Sequence, residues 1–397
     1  MTQSKLPERV VEAKGLLLNI ATAWITTVML VACAPGPSPK PGMEPPANRT
    51  RMMSVNLATL QTLDGLIANL GPHRVVFVGE SHDRYGHHLA QLAIIRELHA
   101  AHPNLVIAME FFQQPYQGSL DDYIAGAATE AQMLVSTEYF TRWRFDYRLY
   151  RPILEYAREQ GIPLLALNVP TEVSRKVAQG GIDALKGADT AWVPEGFDRS
   201  DTEYEARIRE IFEHHPQADE RQFEYFFESQ LLWDEGMARR AADYLETNPD
   251  AVMVVLAGSG HLAYRSGIPA RLARHTGIEG PVVLIGAEAL TDADVADHVL
   301  IVEEQSLPPR GLLGIFMEDT DAGVIVAGLS AQSAAAQAGM QKGDRLLDVG
   351  EVSVTGSEDV RIALLDAGPG ESVSVRVARD GDGDEESVLE MAVTLGQ

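Results

Sequence analysis

Along the chain, short apolar runs alternate with stretches in which apolar residues recur at helical spacing. Arg74–Val78 is a compact apolar run, and His87–Ala101 follows it with Leu89, Leu92, Ile95 and Leu98 on one helical face. Four further apolar runs come later: Leu105–Met109, Pro163–Val169, Ala251–Leu256 and Pro281–Gly286. None of the five alternates apolar with polar, so each is expected to be covered on both faces. That pattern predicts an α/β fold with a mostly parallel central sheet flanked by helices. A helical insert, Glu172–Asn248, separates the third and fourth runs, and Phe223, Phe226, Phe227, Leu231, Met237 and Ala241 favour one broad face of it. Beyond residue 304 the texture changes to alternating short strands, glycine-rich turns and one small alanine-rich helix, a second, small β-rich domain.

The first 52 residues have a different character. Lys5, Arg9 and Lys14 precede the apolar "GLLLNIATAWITTVMLVAC", which ends on Cys33, the one cysteine of the chain. A basic start, a short apolar core and a small residue before the break mark an export signal, and Leu-Val-Ala-Cys resembles a bacterial lipobox. The reading is a lipoprotein signal over residues 1–33, with Cys33 as the lipid attachment point; an uncleaved membrane anchor is the competing reading. Residues 34–52 carry six prolines and no periodicity, a semi-rigid tether. The main domain then spans 53–304 and the small domain 308–397. The expected location is the bacterial cell envelope, lipid-anchored, with the outer membrane the favoured face.

Composition narrows the partners. A formal net charge of −25 over 397 residues speaks against nucleic acid, which needs a basic stripe. It also speaks against docking on anionic lipid through a polybasic patch.

Candidate chemistry gathers where the predicted strands end, the edge at which open parallel sheets bind ligands. The first run leads into Glu80 and His82, the second into Glu110, the third into Asn168 and the fourth into Ser259 and His261. Gly79 is expected to make a tight turn after Val78, where glycine lets the backbone approach closely. Taken singly, a glutamate at a strand end reads equally as a helix cap, and a lone histidine as a core residue. Four such groups converging on one rim rarely serve stability alone. Two imidazoles and two carboxylates can hold Zn, Mn or Co and activate water for hydrolysis. Without metal, a His–Glu pair can act as a general base. A haem held by a Tyr or His axial ligand is the third option. Tyr85, His87 and His88 lie one helical turn beyond the rim, and adjacent His87 and His88 cannot share one direction. The segment Ser136–Ile153 packs six aromatics into 18 residues, a core cluster or the wall of a flat-ligand pocket.

The ordered series "FVGESHDRYGHH", "MEFF", "NVP", "QLLWDEGMA" and "GSGHLAYRSGIPARL" resembles the ChaN-like family of haem-binding lipoproteins, in a superfamily with Tiki-type metalloproteases and erythromycin esterases. The superfamily's shared Gly-x-x-His corresponds to Gly79–His82. The resemblance implies functional types at Glu80, His82, Glu110 and His261, haem as ligand, and a homodimer if the cofactor is shared between two chains. The candidate haem contacts are His82, Tyr85, His87, His88, Tyr147 and His261, with Tyr85 and Tyr147 chosen from location alone. The small domain resembles a PDZ domain: "RGLLGIFM" matches the carboxylate-binding loop with Leu313, Gly314 and Ile315, and "AGM" and "GD" follow at Ala338–Met340 and Gly343–Asp344. Such a loop takes a peptide C-terminus, the peptide adding a strand to a sheet edge. Three functions stay open at this point: haem or iron capture for uptake, a metal-dependent hydrolase or peptidase using Glu80, His82, Glu110 and His261, and a scaffold in which only the PDZ module acts.

Overall fold

The structure is a computed structural model and describes residues 57–397, apart from 214–219, 291 and 381–385. Cys33, the signal and the tether lie outside the described residues. Among the described residues, no helix is long and apolar enough to cross a membrane.

The main domain is built on six parallel strands: β1 (Val75–Glu80), β2 (Leu105–Gln113), β3 (Leu164–Asn168), β4 (Val252–Gly258), β5 (Val282–Ile285) and β6 (His298–Leu300). Their order is β3-β2-β4-β1-β5-β6. All five predicted runs are strands, and every residue of β1 to β5 is buried. Side chains of a strand alternate between its faces, and two separate cores result. Val76, Val78, Ile107 and Met109 join one core with the helices Tyr85–Ala101, Gln117–Ile124 and Arg151–Gln160. Val75, Phe77, Val106 and Ala108 join the other, with Met237, Ala238 and Ala241 of the insert helix Glu220–Thr247 and with Ile268 and Leu272. Truncating a residue such as Phe77, 1 % exposed, would cost about 3–5 kcal/mol.

One strand is added and one expectation is corrected. The sixth strand carries no sequence signal, being three half-buried residues, His-Val-Leu. Gly79 is not in a turn but inside β1, paired with Ala257 and Leu284. The close approach expected of it does hold: a Cβ there would stand 2.5 Å from Leu284 Cδ2 and 3.2 Å from Ser259 Cα.

The aromatic segment folds inward. Tyr139, Trp143, Tyr147 and Tyr150 are buried in the first core, with Phe140 and Phe145 at its margin.

The small domain is an antiparallel sheet, β12-β11-β9-β8-β7, with β10 on β9. Its strands are β7 (Ile315–Thr320), β8 (Gly323–Leu329), β9 (Arg345–Val349), β10 (Val352–Ser353), β11 (Ser372–Asp380) and β12 (Glu386–Thr394). It has its own core of Val324, Val326, Leu346, Val375, Val377 and Val393. Strand β7 is outermost in the sheet, and Leu313–Gly314 leads into it. Gly314 has φ +73°, a conformation glycine adopts without the Cβ penalty. The helix Ser357–Ala363 lies beside β7, tied to it by Ser357 N–H donating to Asp319 Oδ1 at 2.8 Å. The same helix meets the main domain: the Arg361 guanidinium lies 5.7 Å from the Phe140 ring centre, and Ile362 and Leu365 pack on the first core. Arg151 joins Glu130 to Asp366 across this contact.

Candidate functional site

Because β4 inserts between β1 and β2, the carboxyl ends of β1, β4 and β2 are neighbours, and the polar residues that follow them meet. Glu80, His82, Glu110 and His261 are 2 %, 8 %, 2 % and 9 % exposed, so solvent reaches the site only at the edges of the two imidazoles. His82 Nδ1–H donates to Glu80 Oε1 at 2.5 Å. Glu110 Oε2 accepts the Gly258 N–H at 2.8 Å, and Oε1 stands 3.4 Å from His261 Nε2. The His82 ring reaches the same place, since a Cβ on Gly258 would be 2.9 Å from its Nε2 and 3.6 Å from Glu110 Oε2. Glu110 thus lies between two imidazoles.

Each imidazole is backed by its own carboxylate, His82 by Glu80 and His261 by Asp234. His261 Nδ1–H donates to Asp234 Oδ1 at 2.6 Å, and Tyr204 OH donates to Asp234 Oδ2 at 2.6 Å. The electrostatics follow from this alternation of charges. Burial alone would raise Glu110, but His261 and His82 outweigh it and hold the carboxyl down to about 2. Burial alone would lower His82, yet Glu80 and Glu110 raise it above its ordinary value. Burial is likewise overcome at His261, which Glu110 and Asp234 hold well above the ordinary imidazole range. The arrangement can keep or shift a proton between two imidazoles through one carboxylate, in surroundings of low dielectric.

An aromatic wall covers His82. Its ring centre is 4.9 Å from Trp143 and 5.0 Å from Phe145. Below, His88 Nε2 is 3.2 Å from the His82 carbonyl and 3.8 Å from Glu80 Oε2. Tyr150 OH donates to the same carbonyl at 3.2 Å and receives Trp143 Nε1–H at 3.0 Å.

The structure brings Glu80, His82, Glu110 and His261 together. It places His88 under the rim and His87 beside it, with His87 Nδ1 accepting the Ser81 N–H at 3.1 Å. Tyr85 is half-buried on the first turn of its helix. Tyr147 is not brought to the rim. It is fully buried, its hydroxyl donates to Glu130 at 2.8 Å, and burial followed by Glu130 lifts it well above the phenol range. An axial role for Tyr147 therefore has no geometric basis. Nor do the rim residues support the Zn, Mn or Co expectation. Among the described residues no three His, Cys, Asp or Glu side chains are disposed to hold a metal ion, and those of the rim are engaged with one another. Sequence reading missed Asp234 and Tyr204. The available signal was Asp234 itself, a carboxylate three residues beyond Leu231 on the apolar face of the insert helix.

The comparisons agree with this architecture. The model of the family described as "Haem-binding uptake, Tiki superfamily, ChaN" matches residues 66–272, and a PDZ-domain model matches residues 311–389. None of the curated proteins compared with the chain matches it. Among solved structures, one of cofacial haem binding to ChaN of Campylobacter jejuni is 18 % identical, covering 61 % of this chain and 92 % of that one, with a TM-score of 0.52. A serine endoprotease from Yersinia pestis is 26 % identical over 22 % of this chain and 29 % of that one, TM-score 0.19. An erythromycin esterase EreC mutant is 15 % identical over 56 % and 71 %, TM-score 0.34. The chain belongs to the ChaN-like haem-binding uptake family of the Tiki superfamily, with a PDZ domain after the family domain.

Proposed function

We propose that the chain binds haem at the rim formed by the ends of β1, β2 and β4, and that Cys33 anchors it in the bacterial envelope for haem or iron uptake. Family membership over residues 66–272 carries the haem reading, and the solved relative with cofacial haem supports it. The residues of this chain fit such a ligand in kind. Haem iron is held by imidazole or phenolate. The rim offers the outer edges of the largely buried His82 and His261, with Tyr85 half-buried nearby and Trp143 and Phe145 as an aromatic wall. When bound, the haem would supply the iron centre; the protein supplies ligation, the aromatic face and the exclusion of water. The PDZ domain takes the C-terminus of a peptide at Leu313, Gly314 and Ile315, the peptide pairing with β7. A dimer that shares haem between two chains belongs to the same proposal.

Titrating residues 53–397 with haemin tests it. A saturable Soret shift is expected, lost or strongly weakened in the His82→Ala, Glu110→Ala double variant. Absence of a saturable shift in the unsubstituted protein would contradict the proposal.

A further inference from the structure

An imidazole at a strand end can rotate, flip and, when neutral, carry its proton on either nitrogen. At His261 three features remove that freedom, and none lies on the strand that ends there. Asp234 comes from the insert helix, is fully buried, and takes the Nδ1–H at 2.6 Å. Tyr204 comes from the helix Thr202–Glu213 and donates to the other Asp234 oxygen at 2.6 Å, fixing the carboxylate plane. Tyr204 is itself buried, with the Arg271 guanidinium 4.6 Å from its ring centre.

The third feature is the backbone after His261. Tyr264 and Arg265 both have φ +57°, a left-handed conformation that costs a non-glycine residue on the order of 1 kcal/mol or more and persists only where its surroundings impose it. Here Tyr264 N–H donates to Val295 O at 2.8 Å, and Arg207 covers the Tyr264 ring at 4.9 Å. The chain doubles back so closely that a Cβ on Gly267 would stand 2.0 Å from His261 O and 3.0 Å from Asp234 Oδ2. The groups facing His261 are Glu110 from β2, His82 from the end of β1, and Asp234 and the Trp233 ring from the insert helix. Only Asp234 touches Nδ1.

We propose that Asp234, held by Tyr204, is a positioning residue that keeps a proton on Nδ1 and fixes the ring orientation of His261, so that Nε2 is turned towards Glu110 at the rim where the ligand binds. The ligand part of this statement rests on the haem reading; the positioning part does not. A buried carboxylate needs partners for stability alone, so the test must separate the two roles. In Asp234→Asn, Tyr204 still donates to the side-chain oxygen. The amide nitrogen then faces His261 Nδ1 and turns that nitrogen into an acceptor, the wrong-tautomer effect known from carboxylate–histidine pairs.

The experiment uses residues 53–397 labelled with 15N-histidine, with the His261 signals identified by their loss in His261→Ala. The unsubstituted protein is expected to show a protonated Nδ1 at His261. Asp234→Asn should strip the proton from Nδ1 and leave Nε2 protonated, and Asp234→Glu should retain the Nδ1 proton. Haemin affinity should fall roughly 10-fold or more in Asp234→Asn, as for other residues that orient a ligand-contacting histidine, with recovery in Asp234→Glu. Tyr204→Phe, which keeps the ring and frees the carboxylate, serves if Asp234→Asn fails to fold, and should broaden or split the Nδ1 signal. An unchanged Nδ1 signal in Asp234→Asn overturns the proposal. So does a lost Nδ1 proton with unchanged haemin affinity. A lost Nδ1 proton in a protein whose parent never binds haemin supports the positioning of His261 and counts against the haem reading alone.

Discussion

Glu110→Gln is the most informative single substitution at the rim, because it removes a charge and almost no volume. Glu110 is 2 % exposed, accepts one backbone N–H, and lies between two imidazoles. Holding its carboxyl at about 2 instead of the ordinary 4.5 corresponds to about 3 kcal/mol favouring the ionised folded state. The sign follows from the depressed value. The contribution is fully present above about pH 4.5 and is lost as pH falls through about 2, below which the carboxyl is protonated in both states. Glutamine does not titrate, so the variant should be about 3 kcal/mol less stable near neutral pH, and the gap should close in acid. The assay is urea unfolding of residues 53–397 at several pH values, followed by tryptophan fluorescence. The tryptophans are Trp24, Trp143, Trp192 and Trp233, so in this body the signal reports the main domain alone. A stability gap of the same size at pH 7 and pH 3, or a variant more stable than the parent at pH 7, would refute the electrostatic account. The second result is the one seen when desolvation outweighs pairing in a buried ion pair.

Gly236→Ala should destabilise the main domain by about 1–3 kcal/mol in the same unfolding assay, because its Cβ would stand 2.3 Å from Val169 Cγ1; Val169→Ala in the same chain should restore part of the loss. Replacing Arg361 and Asp366 together by alanine should cost about 1 kcal/mol or less for these exposed pairs, while speeding limited proteolysis of the connector at residues 301–310. Unchanged cleavage would mean that Ile362 and Leu365 hold the domains without help. Cys33→Ser should move the protein from the membrane fraction to the soluble fraction, and retention in the membrane would favour an uncleaved anchor.

The sheet was legible because β1 to β5 are buried on both faces, which leaves short runs of apolar residues with no alternation to mistake for an exposed strand. The rim was legible for a related reason. A parallel sheet puts every strand's carboxyl end on one edge, so the residue after each run is a site candidate before any pairing is known. Strand order could not be read, and it matters: Glu110 meets His82 and His261 only because β4 separates β1 from β2. Asp234 was hidden by distance along the chain, 27 residues from His261 and 30 from Tyr204, with no local pattern joining them. Tyr147 is a candidate by location alone, inside the aromatic segment 136–153. The Glu138 and Arg144 backbones, at φ +51° and +72°, fold that segment back into the core, and such turns carry no glycine to announce them.

Hydrogen–deuterium exchange of residues 53–397, with and without haemin, tests the central claim that the rim is the haem site. Protection is expected in residues 80–88, 139–150 and 259–267, with the PDZ sheet unchanged. Protection confined to the opposite, amino-terminal edge of the sheet, around His73, Gly280 and His298, or none at all under saturating haemin, would contradict it.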